Sequence, residues 1–421
     1  MKKTNHDVKP GKLDYCQVCG SKKLFEAIDL GVQPSAGGLI SGDSLHEPVV
    51  HYPLRLMICP ECGLGQLDYV VDGKLLFSST NYMYRTGISA PLRDHLKLLA
   101  EEIVSTQQIQ KGSLCVDIGS NDGTLLTFFR DFGMKTVGVE PTSMAKVAKQ
   151  ENKIQTIKAF FDEKAARQIV KEYGKAKVVT FTNVFAHMAT LGQVMRGLKI
   201  LLDTDGVIVT ESQYLLDIFE RNQFDQIYHE HVRIYSLKSL TRLFPQYEME
   251  VFDAKHVTTR EGSIRAYAGW KKKHPMSKNV TRLVTKEEKM GLFSVRGWGL
   301  WKKHVEKARY EFMEFVHTAM KEGSHIVGDS MPTRGVVVMN YFGIHRGLIP
   351  YVAQLPGTEK VGMYIPGTQT PIVSNEIILK DKPDYILILA WHFSDFIIKN
   401  WRAKGLKSKF IIPLPKFKIV E

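Results

Sequence analysis

Three sets of residues have the types and spacing to do chemistry. The densest is Tyr228-His229-Glu230-His231, which follows Phe224-Asp225-Gln226-Ile227. An imidazole titrates near neutrality and can remove a proton, and a carboxylate beside it can orient it or raise its basicity. An H-x-H pair with an acid can also hold a metal, but the H-E-x-x-H spacing is absent and no further ligand cluster is evident. A capped, hydrogen-bonded turn is the structural alternative; the density of titratable groups favours acid–base chemistry. The second set is Val116-Asp117-Ile118-Gly119-Ser120-Asn121-Asp122-Gly123. Its glycines let the backbone turn tightly and approach a ligand. The third set is two C-x-x-C-G knuckles, Cys16-Gln17-Val18-Cys19-Gly20 and Cys59-Pro60-Glu61-Cys62-Gly63. Such turns point their thiolates at one tetrahedral centre, the pattern of a structural zinc with no position left open for catalysis.

These residues need elements to position them. The glycine loop sits between an apolar run at 114–118 and a helical stretch at 124–132. A strand, a turn and a helix N-terminus then surround one small pocket. The loop has neither the G-x-G-x-x-G spacing nor a G-x-x-x-x-G-K-[ST] phosphate loop. A second apolar run at 136–139 ends in Glu140, where an acid holds two ribose hydroxyls in a doubly wound sheet. An adenosyl ligand without a pyrophosphate fits, which points to S-adenosylmethionine. Its expected contacts are Asp117, Gly119, Ser120, Asn121, Asp122, Gly123, Glu140 and Asn183. Phe160 and Phe161 could flank the adenine; two core phenylalanines are the alternative.

Further strand candidates at 178–182 and 206–211 alternate with helices, so the sheet should be mostly parallel. Ligands then bind beyond the carboxyl ends of its strands. An amphipathic helix at about 90–107 leads into it, with Leu92, Leu96, Leu99 and Ile103 at helical spacing. After residue 246 come strand candidates around the turn at 260–265, then a helical stretch at 286–321. Short apolar runs follow at 335–340, 361–364, 377–380, 384–390 and 410–413, read as a second doubly wound sheet. The fold class is therefore α/β in three parts: a zinc-binding module at 1–75, a Rossmann-like cofactor domain at 76–248 with its helical lead-in at 76–110, and a C-terminal α/β domain at 249–421.

The composition, 44% hydrophobic and 24% charged, is that of a globular protein. No apolar run approaches the ~20 residues that span a bilayer. The first dozen residues are basic and polar rather than a secretory signal, so a cytoplasmic location is expected. The net charge of +13 is spread along the chain. Lys271-Lys272-Lys273 has no aromatic within it, and Phe410 and Phe417 read as strand core, so neither nucleic acid nor a membrane is the expected partner. Cys115, inside the first strand, reads as a small core residue.

The chain resembles the sugar C-methyltransferases that act on nucleotide-linked keto-deoxysugars in antibiotic and lipopolysaccharide sugar pathways. The resemblance covers nearly the whole chain. It rests on the paired C-x-x-C-G, on the 116–123 loop, on Asn183-Val184-Phe185-Ala186-His187 and on the Tyr228–His231 box. It rests further on Asn340-Tyr341-Phe342-Gly343-Ile344, Ile365-Pro366-Gly367-Thr368, Pro383-Asp384-Tyr385 and Leu389-Ala390-Trp391.

The resemblance implies methyl transfer to C-3′ of a 4-keto sugar; the chain itself is expected to be a monomer or weak dimer. It implies that His231 is the base and that Glu230, Tyr228, His187 and Tyr82 surround the reacting sugar. It places Tyr84, His229, Arg265, Arg334, Asn340, Tyr341 and His392 where sugar or nucleotide is read. The residue types agree. A proton next to a ketone leaves only if the enolate is stabilised. One base must take it and one donor must face the C-4 oxygen, a role for Tyr228 or His187. Removal from one face and methyl entry from the other inverts C-3. Three segments depart from the family pattern. Arg260-Glu261-Gly262-Ser263-Ile264-Arg265 stands for His-Gly-Gly-Ser-x-Arg, Thr333-Arg334-Gly335 for Gly-Lys-Gly, and Trp391-His392-Phe393 for Trp-Asn-Phe. The nucleotide, dTDP or GDP, is therefore open. An O- or N-methyltransferase would share the cofactor loop but has no use for the Tyr228–His231 box. A zinc-ribbon nucleic-acid binder would leave most of the chain unexplained.

Overall fold

The computed structural model describes residues 6–77, 84–258 and 261–421. At its centre is a seven-stranded sheet. In chain order its strands are Leu114–Ile118, Lys135–Val139, Thr156–Ile157, Ala176–Thr182, Leu202–Gln213, Met249–Val257 and Ser263–Trp270. Across the sheet they run 3-2-1-4-5-7-6. The first five are parallel, and the last strand pairs antiparallel to both of its neighbours. Leu114–Ile118 is buried along its whole length, as a central strand covered on both faces must be. Helix Ala90–Thr106 starts with proline in its first turn and buries Leu92, Leu96, Leu99 and Ile103.

The N-terminal sheet has the strand order Arg233–Ile234, Gly65–Leu67, His51–Ile58, Phe25–Pro34, all antiparallel. Its first strand comes from the segment just after His231. The C-terminal sheet has the order Ile372–Ser374, Val352–Gln354, Ile326–Asp329, Tyr385–Ile388, Lys409–Ile412, Lys418–Val420, parallel except at the last strand. Its chain order turns back between Ile326–Asp329 and Tyr385–Ile388, which makes the crevice beyond those two strands the switch point.

Several sequence expectations change here. Met249–Val257 and Ser263–Trp270 complete the central sheet, although a boundary at 248/249 assigns them to the C-terminal part; they extend the open edge of Leu202–Gln213. The apolar run at 335–340 lies in helix Gly335–Phe342, and 377–380 lies in helix Glu376–Asp381. Short apolar runs do not reveal their period when an element is buried all round. The stretch at 286–321 is two helices, Lys278–Lys289 and Val295–Lys321. Gly291, at φ +74°, ends the first, and Ser294 caps the second by accepting from the Gly297 amide at 3.0 Å. Residues 361–364 form no strand; Tyr364 makes isolated bridges to Ile40 and Pro371. No described helix is long and apolar enough to cross a membrane.

Candidate active site

A cavity of about 1410 Å³ opens at the carboxyl edge of the central sheet and continues to the switch-point crevice of the C-terminal sheet. Single-ligand sites measure roughly 300–1,000 Å³, so this one has room for two ligands. Six buried polar atoms on its lining residues have no hydrogen-bond partner among the described residues: Ser120 Oγ, Gln213 Oε1, Glu230 Oε2, His187 Nε2, His231 Nε2 and Arg334 Nε, the last of which has only an ion pair with Asp225. Buried polar groups carry a large cost unless they are satisfied, so the wall is built for polar ligands.

The wall made by the glycine loop is local in sequence. Gly119 (φ +71°) donates to Val139 O at 2.7 Å, and a Cβ on it would meet Val184 at 2.5 Å. Glu140 is buried and lines the cavity; its Oε2 accepts from Asn121 N and its Oε1 from Thr142 N, both at 2.9 Å. An ionised carboxylate keeps acceptor capacity beyond those two bonds. Asp117 accepts from Thr180 Oγ1 at 2.6 Å, and burial, with Glu140 nearby, pushes its carboxyl up to about 7. Asn183, at φ +57°, and Phe160, half exposed, also line the cavity. Phe161 lines it too but is buried edge-on against Phe181.

Asn121 and Asp122 do something the sequence did not suggest. Asn121 Oδ1 accepts from Thr86 N and its Nδ2 donates to Tyr84 O, both at 2.9 Å. Asp122 Oδ2 accepts from Gly87 N at 2.9 Å and pairs with Arg85 at 3.3 Å. Their side chains pin 84–87 across the loop. Tyr84 and Asn121 still line the cavity; Asp122 and Gly123 are not in its lining.

The opposite wall is assembled from distant segments. His231 Nδ1 lies 2.7 Å from Gln226 O. A carbonyl only accepts, so Nδ1 carries the proton and Nε2 presents a bare lone pair. Burial holds His231 down to about 4, partly offset by that bond, so the ring is neutral. His187 lies 5.0 Å away, ring to ring, stacked on Phe77, and burial holds its pKa well down, with His231 adding to this. Tyr228 covers the other side of His231 at 3.9 Å between rings. Glu230 does not contact the His231 ring through any hydrogen bond. Its Oε1 accepts from Gly37 N at 3.1 Å and Ser35 Oγ at 3.3 Å, and burial pushes its carboxyl up. So the residue expected to tune His231 instead ties the box to the N-terminal part. Tyr82 lies outside the described residues.

The remaining expected substrate contacts divide. Arg334 and His392 line the cavity. His229 turns away toward Tyr52 O at 3.3 Å. Arg265 is buried against Glu211 at 2.7 Å and Glu102 at 2.9 Å, backing the wall rather than lining it. Asn340 donates to Val336 O and Pro366 O at 2.9 and 3.1 Å, and Tyr341 packs on Phe224 at 5.2 Å. Lys360 was not anticipated. Its Nζ lies 2.9 Å from Met331 O at the switch-point crevice, no carboxylate among the described residues pairs with it, and burial lowers its pKa. No motif marks it; only the fold brings it there.

The four cysteines of the knuckles converge, with all four Sγ atoms within 4.8 Å of one another. The pairs Cys16–Cys62 and Cys19–Cys59 are 3.4 and 3.5 Å apart. A tetrahedral zinc with bonds near 2.3 Å needs thiolates about 3.8 Å apart, so the set fits the metal. Among the described residues no other group of three ligands is so placed.

Comparisons with known proteins agree along the chain. Residues 16–77 match a model described as "Putative zinc binding domain", 84–253 a methyltransferase domain, and 258–415 a C-methyltransferase C-terminal domain. C-methyltransferase NovU of Streptomyces niveus is 29% identical over 411 residues, covering 97% of each chain. Among solved structures, an S-adenosylmethionine-dependent methyltransferase from Anabaena variabilis is 16% identical, covering 42% of this chain and 84% of its own at a TM-score of 0.33. The magnesium protoporphyrin IX methyltransferase of Synechocystis is 14% identical, covering 42% and 82%, at a TM-score of 0.33.

Proposed function

We propose that this S-adenosylmethionine-dependent C-methyltransferase methylates C-3′ of a nucleotide-linked 4-keto-6-deoxysugar, the nucleotide being dTDP or GDP. The observation that carries this reading is the bare, buried Nε2 of neutral His231 facing a two-ligand cavity. A carbon acid adjacent to a ketone needs such a base, whereas a hydroxyl or amine acceptor needs less. In this reading the cofactor part runs on through Ser263–Trp270, and the C-terminal sheet beyond it holds the nucleotide.

Gly119, Ser120, Glu140, Asn183 and Phe160 would hold S-adenosylmethionine, which supplies an electrophilic methyl group when bound. His231 Nε2 takes the C-3 proton. Tyr228 and His187 lie beside it to donate toward the C-4 oxygen as the enolate forms. Glu230 keeps the box in place. A base on one face and a methyl donor on the other give inversion at C-3. The Lys360 ammonium, half-buried and without a carboxylate partner among the described residues, suits the diphosphate of the nucleotide sugar.

The test is a mass-resolved assay in deuterated water with S-adenosylmethionine and, in parallel, dTDP- and GDP-linked 4-keto-6-deoxysugars. One methyl gained on one nucleotide sugar establishes the reaction and settles the nucleotide. Neither methyl nor deuterium on either substrate overturns the proposal in favour of another acceptor.

A further inference from the structure

We infer that Glu261, clamped by Arg334 and His392, is a positioning residue that sets the tautomer of His231 through Gln226. The inference rests on the reading of His231 as the base. It starts from three cavity-wall residues that depart together from the resembled family's pattern.

Glu261 comes from the connection between two central strands, and Arg334 and His392 come from the carboxyl edge of the C-terminal sheet. Arg334 Nη1 donates to Glu261 Oε2, and Arg334 Nη2 meets His392 Nδ1. Arginine only donates, so His392 Nδ1 accepts, and the proton is on Nε2, 2.9 Å from Glu261 Oε1. Arg334 Nε lies 3.2 Å from Asp225 Oδ2, which also accepts from Trp391 Nε1 at 2.8 Å. Both terminal nitrogens of the guanidinium are thus engaged by Glu261 and His392, and its Nε faces Asp225 as an ion pair.

What the cluster holds is the turn Phe224–Gln226. Gln226 Nε2 donates to Glu261 Oε2 at 2.8 Å, and Gln223 Nε2 donates to Glu261 O at 3.0 Å. Asp225, between them, is fully buried in the same cluster. The backbone carbonyl of Gln226 is the acceptor that keeps the His231 proton on Nδ1. With that carbonyl displaced, the neutral ring can carry its proton on Nε2, and the base is lost without any change of charge. Residues from two sheets therefore converge on the short turn that carries this peptide oxygen. Catalytic groups tolerate little misplacement, about 1 Å costing on the order of a hundredfold.

The test uses the full chain labelled with ¹⁵N-histidine, the His231 signals being assigned by their loss in His231→Asn. Wild type should show the Nδ1–H tautomer. Glu261→Leu should show a mixture or the Nε2–H form, and Glu261→Gln, which keeps an acceptor oxygen for Gln226, should restore Nδ1–H. Arg334→Met gives a second route to the same readout if Glu261→Leu does not fold. On the dTDP- or GDP-linked keto sugar that wild type turns over, Glu261→Leu should lower kcat about a hundredfold with KM within about threefold. An unchanged Nδ1–H tautomer in both Glu261→Leu and Arg334→Met overturns the inference, whatever the substrate. Retained C-3 exchange in His231→Asn overturns the reading of the base instead.

Discussion

The two walls of the cavity are built differently. The cofactor wall comes mainly from one strand–turn–helix unit and the acid ending the next strand, with Glu140 bonded to the amides of Asn121 and Thr142 on that same unit and strand end. The base wall draws on more than five separate regions of the chain. His231 takes its orientation from Gln226, Glu230 is tied to Gly37, Arg233–Ile234 pairs with Gly65–Gln66 beside a zinc knuckle, and Glu261, Arg334 and His392 close the far side. A local wall can form wherever the central sheet forms. The other exists only when all three parts of the chain are docked.

Ways of breaking this contrast can be ranked by expected effect. His231→Asn should lower methyl transfer by about 10²–10⁴-fold while leaving S-adenosylmethionine affinity near wild type, measured by turnover and calorimetry. Lys360→Ala should raise KM for the nucleotide sugar about tenfold or more with kcat little changed, as loss of one charge-assisted contact, and Lys360→Arg should recover part of it. Glu140→Ala should weaken S-adenosylmethionine about tenfold and leave C-3 exchange intact in the product-bound enzyme. The smallest effect is with pH. With His231 held down to about 4, its ring stays neutral well below the usual imidazole range. Exchange at C-3 should fall less than about twofold from pH 7 to 5.5, where an unshifted imidazole would lose about tenfold. Stability runs the other way. The unfolded chain protonates this histidine below about 6.5 and the folded one does not until about 4, so its contribution to stability declines as pH falls through that window.

The contrast also explains what the sequence revealed. The glycine loop, the four parallel strands beside it and the cysteine knuckles follow from local pattern: a buried run, a turn that needs positive φ at Gly119, two thiolates per knuckle. The Tyr228–His231 box stood out by residue type, but its wiring did not. A backbone carbonyl orients His231, and no side-chain pattern announces that. Glu230 faces Ser35 and Gly37, almost two hundred residues earlier, where pairing depends on docking rather than spacing. Lys360 carries no motif and reaches the cavity only because the switch point of the second sheet meets it. Gly335–Phe342 read as a strand because its residues are buried on nearly every side, which erases the helical period.

The most direct measurement removes the zinc and asks what fails. The full-length protein would be treated with a chelator, and S-adenosylmethionine affinity and deuterium exchange at C-3 of the keto sugar would be followed on the same sample. The strand after His231 is stitched into the zinc-bearing sheet, while the glycine loop is not. Affinity for the cofactor should stay within about threefold, and exchange should be lost, because metal binding stabilises only the part that needs it to fold. Exchange that survives at its full rate with the metal gone, or cofactor binding that disappears along with it, would contradict the division of the cavity into a self-supporting wall and a docked one.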